Sequence, residues 1–90
     1  MKRSVHLIID GVVQGVGYRK YALAKARELD IKGSVKNLSH HRQVEIYATA
    51  DFDALQAFIS LLRIGPQRSI VEEIQINYID KIDFNDFQIL

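Results

Sequence analysis

The chain has 90 residues, which is enough for one small domain and too few for two separate hydrophobic cores. It contains no cysteine, which excludes disulfide bonds, thiolate metal sites and a cysteine nucleophile. Its apolar content of 48% is typical of a globular protein, and its net charge of +1 gives no overall attraction to nucleic acid or anionic lipid.

The amino-terminal segment does not have the pattern of a secretion signal, because His6 and Asp10 interrupt its short apolar run. No apolar stretch approaches the length that a membrane-spanning helix needs. We therefore expect a soluble, cytoplasmic, monomeric protein that binds neither membranes nor nucleic acid.

The first half of the chain predicts a strand, a helix and a hairpin. Residues 4–10 alternate between aliphatic and other side chains, which predicts a strand that Gly11 ends. Residues 18–30 have alanine and leucine at helical spacing, which predicts an amphipathic helix. Residues 33–38 and 43–49 predict the two strands of a hairpin, with the polar SHHR stretch as its turn.

The second half predicts another helix and further strands. Asp51 is a suitable N-cap for a helix that Gly65 and Pro66 would end. Its apolar side chains recur at the spacing of one helical face: Leu55, Phe58, Ile59 and Leu62. Residues 71–80 predict a strand, and residues 84–90 predict a short closing strand.

The predicted order of elements is strand, helix, strand, strand, helix, strand. This order is typical of the ferredoxin-like α+β fold, a split β-α-β sandwich with an antiparallel sheet and both helices on one face. The other face meets solvent, which explains the alternation in most strands. Because this fold serves many functions, the chemistry has to be argued from particular residues.

The stretch QGVGYR, residues 14–19, connects the first strand to the first helix. Gly15 and Gly17 allow successive N–H groups to point into one concavity at the positive end of the helix dipole. Such a loop suits a phosphate or carboxylate, and the guanidinium of Arg19 can bind two phosphate oxygens at once. Alternatively, the glycines form an ordinary turn and Arg19 is a solvated charge. Local physical chemistry leaves both interpretations open.

Two separated motifs resemble those of the acylphosphatase family. GVVQGVGYR at residues 11–19 resembles the family signature, and GSVKN at residues 33–37 resembles its second motif at a matching distance. The loop lacks the lysine of a P-loop and the third glycine of a dinucleotide-binding fingerprint. The resemblance covers nearly the whole chain and implies a ferredoxin-like enzyme that hydrolyses acyl phosphates without a metal or other cofactor.

The resemblance also implies roles for individual residues. Arg19 would hold the phosphate together with the backbone amides of Gln14, Gly15, Val16, Gly17 and Tyr18. Asn37 would position the attacking water. These few groups are sufficient in principle, because phosphoryl transfer depends mainly on positioning and charge stabilisation.

The chain departs from the family pattern at scaffold positions. Ser34 replaces a common tryptophan, Ala50 replaces a frequent glycine, and His40 and His41 occupy the hairpin turn where an Asp-Gly pair is common. Adjacent histidines on extended backbone would point in opposite directions, so we expect a solvated turn and no metal site there.

Three binding functions remain as alternatives to catalysis. A domain of this kind could bind acyl or carbamoyl phosphate without hydrolysing it, or could serve as a small-ligand regulatory domain. A ferredoxin-like RNA-binding domain would stack bases on aromatic residues of its strands, for which Tyr47 and Tyr78 are the candidates. The basic and aromatic run of such domains is absent, which argues against RNA binding.

Overall fold

The structure, a computed structural model, describes residues 1–90. Its elements are β1 (Lys2–Val12), α1 (Tyr18–Glu28), β2 (Lys32–Asn37), β3 (Gln43–Asp51), α2 (Phe52–Ile64), β4 (Ile70–Ile79) and β5 (Phe87–Ile89). The sheet order is β4-β1-β3-β2-β5, and only the pair of β2 with β5 is parallel. The predicted ferredoxin-like α+β fold is confirmed, and β5 adds a parallel pair at one edge.

The core lies between the sheet and the two helices. Alternate residues of the central strands are buried against the helices, as predicted: Val5, Leu7 and Ile9 of β1, and Val44, Ile46 and Ala48 of β3. The predicted apolar face of α2 is buried as well. Full burial of one such aliphatic or aromatic side chain contributes about 1.5–3 kcal/mol. Helix α1 contributes the smaller Ala22 and Ala26, which let it lie close to the sheet.

Strand β1 does not end at Gly11, as predicted, but continues to Val12. The register with β4 shifts between Asp10 and Gly11, so the glycine lies at a β-bulge. Gly11 has a φ of 145°, and a Cβ atom there would lie 2.0 Å from the carbonyl oxygen of Ile70. Because only glycine permits this approach, β1 can extend and lead directly into the loop formed by residues 13–17.

Helix α2 begins after Asp51 and ends before Gly65, as predicted, but the end of α1 and the capping of α2 differ from the prediction. Helix α1 ends at Glu28, two residues early, because Asp30 takes a left-handed conformation with a φ of 55°. Asp51 occupies the N-cap position of α2 but makes no capping hydrogen bond. Its carboxylate lies instead 3.4 Å from the terminal ammonium of Met1. Neither helix is long and apolar enough to cross a membrane.

Tyr47 and Tyr78 lie on opposite faces of the sheet. Tyr47 is paired with His6 on the open face, whereas Tyr78 is paired with Val5 on the face that carries the helices. The guanidinium of Arg3 lies 4.2 Å from the centroid of the Tyr78 ring. The two aromatic side chains therefore form no common surface for stacking bases.

Candidate active site

The loop between β1 and α1 borders a depression of about 360 Å³. The lining residues are Val13, Gly15, Gly17, Tyr18, Arg19, Lys20 and Ile89. Gly15 and Gly17 have φ angles of 75° and 82°, in the left-handed region that other residues rarely adopt. A Cβ atom at either position would meet nothing within 4 Å. The backbone conformation, rather than a lack of space, therefore requires glycine here.

The loop presents N–H groups that have no backbone partner. None of the N–H groups of residues 13–17 donates a hydrogen bond to another backbone group. The first N–H groups of α1 also have no intrahelical acceptor, and Gly17 occupies the N-cap position without a capping side chain. These donors lie at the positive end of the helix dipole, which favours an anion.

The depression is cationic. Arg19 and Lys20 lie in the first turn of α1, which contains no acidic residue, and no carboxylate lines the depression. Neither cation takes part in an ion pair within the protein. Arg19 is half-buried, which argues against a simple solvated charge. Because two cations at this helix end oppose the dipole, an anion between them is electrostatically favoured.

Tyr18 fixes the start of α1 through its side chain, a role that the sequence did not predict. The side chain is 1% exposed, and its hydroxyl donates a 2.7 Å hydrogen bond to the carbonyl oxygen of Leu62. Tyr21 makes a matching 2.7 Å hydrogen bond to the carbonyl of Leu61. Burial raises the pKa of Tyr18 well above its ordinary value, and the nearby Tyr21 adds to this shift. Tyr18 is therefore a neutral donor that joins the two helices.

Asn37 is the last residue of β2 and lies at the same end of the sheet as the point where β1 leads into the glycine loop. It is paired with Val44, which is paired in turn with Ile9, so the three residues form one row across the sheet. Asn37 therefore shares the helix-facing side with Val44. Its Oδ1 atom is buried and accepts no hydrogen bond from the protein. Because an unpaired buried acceptor is costly, this atom is suited to bind a donor from outside the chain.

Gln14 connects the glycine loop to the turn that follows Asn37. The Nε2 atom of Gln14 lies 3.0, 3.2 and 2.8 Å from the carbonyl oxygens of Leu38, His40 and Gln43. This side chain therefore links the first motif to the turn that directly follows the second. The sequence predicted only a backbone role for Gln14, since no local pattern indicates partners so far away in the chain.

The predicted site residues do not all line the depression. Gly15, Gly17, Tyr18 and Arg19 line it, whereas Gln14, Val16 and Asn37 do not. Val16 packs against the core. Val13, Lys20 and Ile89 line the depression although the sequence did not predict a site role for them. Lys20 could have been included from its place beside Arg19, but Ile89 is brought in by the pairing of β5.

His40 and His41 lie in an exposed turn. Their rings are stacked, with centroids 5.6 Å apart and an interplanar angle of 4°. The predicted solvent-exposed turn is confirmed. The argument that the two side chains point in opposite directions applies to extended backbone and does not hold for this turn. No group of three or more histidine, aspartate or glutamate side chains is arranged as metal ligands in the structure.

Comparisons of the sequence and of the fold with known proteins identify a family. The acylphosphatase family model matches residues 5–89. An acylphosphatase of Dehalococcoides mccartyi is 37% identical over 83 residues, which cover 91% of both chains. A solved acylphosphatase from Coxiella burnetii has a TM-score of 0.94 at 34% identity, covering 99% of this chain and 93% of its own. One from Bacillus subtilis has a TM-score of 0.93 at 32% identity, covering 100% and 99%. The chain therefore belongs to the acylphosphatase family.

Proposed function

We propose that the protein hydrolyses the carboxyl–phosphate bond of acyl phosphates without a metal ion, giving a carboxylate and inorganic phosphate. The observation that carries this proposal is the depression in which free loop N–H groups meet two unpaired cations and no carboxylate. Membership of the acylphosphatase family supports it independently.

The phosphoryl group would be held by the backbone N–H groups of residues 14–18 and by Arg19. The planar guanidinium fits two phosphate oxygens at once, which a lysine could not do. These donors are fixed before the reaction begins, so they stabilise the charge of the transition state without first having to reorganise. Each hydrogen bond to a charged group contributes about 1.5–3 kcal/mol.

Asn37 would position the attacking water, with Oδ1 accepting a hydrogen bond from it. The water oxygen bonds to phosphorus as the bond between phosphorus and the carboxylate oxygen breaks, and the electron pair leaves with the carboxylate. A proton of the water passes to a phosphoryl oxygen. Because a carboxylate is a stable leaving group, the reaction needs no general acid from the protein.

The non-catalytic alternative would use the same loop to bind acyl or carbamoyl phosphate. The free Oδ1 of Asn37 favours hydrolysis, because binding alone gives this acceptor no role.

We also propose that the protein is a cytoplasmic monomer with no nucleic-acid partner. Tyr47 and Tyr78 form no common surface on which bases could stack. Light scattering would test the oligomeric state.

The proposal is tested by mixing the purified protein with acetyl or benzoyl phosphate in excess chelator and measuring phosphate release. We expect saturable hydrolysis well above the spontaneous rate, with and without chelator. Phosphate binding without turnover would instead establish the non-catalytic alternative. Activity that disappears with chelator and returns with a divalent metal would overturn the metal-independent mechanism.

A further inference from the structure

We propose that Gln14 is a positioning residue, whose side-chain amide sets the place of Asn37 relative to the phosphate-binding loop. This inference rests on the hydrolysis proposed above. It assigns to Gln14 a function that its backbone amide alone does not provide.

The amide of Gln14 occupies the inside of the turn between β2 and β3. Three carbonyl oxygens of this turn converge on its Nε2 atom, at 2.8–3.2 Å. Since the amide has only two N–H groups, one of them is shared between two oxygens. The turn closes around this point through its own backbone, where Leu38 N–H donates to Gln43 at 3.1 Å and Gln43 N–H donates to His40 at 2.9 Å.

No other side chain of the loop at residues 13–17 makes a hydrogen bond to this turn. The backbone adds one bond nearby, a 2.9 Å contact from the Gly11 N–H to the carbonyl of Arg42, but Gly11 belongs to β1. Gln14 is thus the side-chain link between the loop that would bind phosphate and the turn that begins directly after Asn37. Loss of the link would let the turn and Asn37 shift, and misplacement by 1 Å can cost about 100-fold in rate.

The first test compares Gln14→Met, which keeps the length of the side chain but removes its donors, with Gln56→Met. Gln56 makes one 2.8 Å hydrogen bond, to the hydroxyl of Tyr78, away from the depression. We expect Gln14→Met to lower kcat for benzoyl phosphate about 10- to 100-fold. Its Kd for inorganic phosphate should change by less than about threefold, and Gln56→Met should resemble the wild type. A wild-type kcat, or equal losses in kcat and phosphate binding, would overturn the proposal.

A double-mutant cycle tests whether Gln14 acts through Asn37. In an Asn37→Ala background, Gln14→Met should lower kcat by less than about twofold, because the group that it positions is gone. The same loss in both backgrounds would show that Gln14 acts independently of Asn37, and would contradict the proposal.

Two further measurements decide the question if Gln14→Met does not fold. Gln14→Asn keeps the amide but shortens its reach by one methylene, and should show a smaller loss of kcat with phosphate binding retained. In the wild-type protein, NMR should show slower hydrogen exchange at the Gln14 side-chain amide than at that of Gln56. Equal exchange rates would disprove the contact itself, and this result does not depend on whether the protein hydrolyses acyl phosphates.

Discussion

Arg19 and Asn37 divide the proposed chemistry between binding and attack. Arg19 is a cation with no partner in the protein, on a helix whose first turn has no acidic residue. Asn37 offers a buried acceptor that no protein group occupies. In the proposed mechanism Arg19 acts on the charge of the phosphate and Asn37 on the water, so their substitutions should affect different constants.

Arg19→Gln should weaken binding and catalysis together. The substitution replaces a charged fork by a neutral amide, and hydrogen bonds to charged groups contribute about 1.5–3 kcal/mol. We expect the Kd for inorganic phosphate to rise about 10- to 100-fold and kcat/KM to fall at least as much. Calorimetry and initial rates measure the two effects. Arg27→Gln, in the exposed last turn of the same helix, is the matched control and should change neither constant.

Asn37→Ala should separate catalysis from binding. We expect kcat to fall about 100-fold because the water loses its orientation, while the Kd for inorganic phosphate changes by less than about twofold. Asn77→Ala removes an exposed asparagine from the open face of β4 and serves as the control. Full activity of Asn37→Ala would show that another group positions the water.

At the scale of single residues, the sequence predicted the groups that could be read from a motif. Asn37 lies near the end of a strand, as predicted, since strand periodicity is a local pattern. The left-handed φ angles of Gly15 and Gly17 were not predicted. The side-chain contacts of Gln14 and Tyr18 were not predicted. Their partners are backbone carbonyls 24 to 44 residues away, and any residue type can supply a carbonyl.

Strand β5 shows why element boundaries and pairings were harder to predict. It has only three residues, too few for a periodic pattern. The sequence predicted a longer strand over residues 84–90 and did not indicate which strand it pairs with or in which direction. The structure pairs it parallel to β2 and buries Phe87, whose ring packs edge-on against Phe58 at 5.9 Å. This packing holds Ile89, two residues later, at the wall of the depression.

Ile89→Ala should change acyl-group preference rather than phosphate binding. Ile89 adds apolar surface to the depression, and a few methylene groups there are worth about 0.8 kcal/mol each. We expect kcat/KM for benzoyl phosphate to fall about 3- to 20-fold, with a smaller change for acetyl phosphate. Ile79→Ala is a matched control, because both isoleucines are 36% exposed and Ile79 lies at the opposite edge of the sheet. An unchanged ratio of the two substrates would exclude Ile89 from acyl recognition.

At the scale of the whole molecule, the core determines where the depression lies. The glycine loop leads into α1 at Tyr18, which is buried in the core and bonded to the last turn of α2. Helix α2 packs against β3 and β4. Strand β3 is paired with β2, the strand that carries Asn37. One packed core therefore positions both the glycine loop and Asn37. The periodicity of the strands and of α2 predicted this core.

Tyr18→Phe should change how the free energy of unfolding depends on pH. The unfolded chain loses the phenolic proton near pH 10.0, whereas burial raises the pKa of Tyr18 in the folded state. The unfolded state therefore binds fewer protons above this pH, and the stability contributed by Tyr18 falls by up to about 1.4 kcal/mol per pH unit. The wild type should exceed Tyr18→Phe by about 1 kcal/mol at neutral pH, from the hydrogen bond to Leu62. Urea unfolding from about pH 9 to about pH 11 should show this difference shrinking. Tyr47→Phe, which removes no hydrogen bond within the protein, serves as the control. A constant gap for Tyr18→Phe would mean that the buried phenol is not what couples folding to pH.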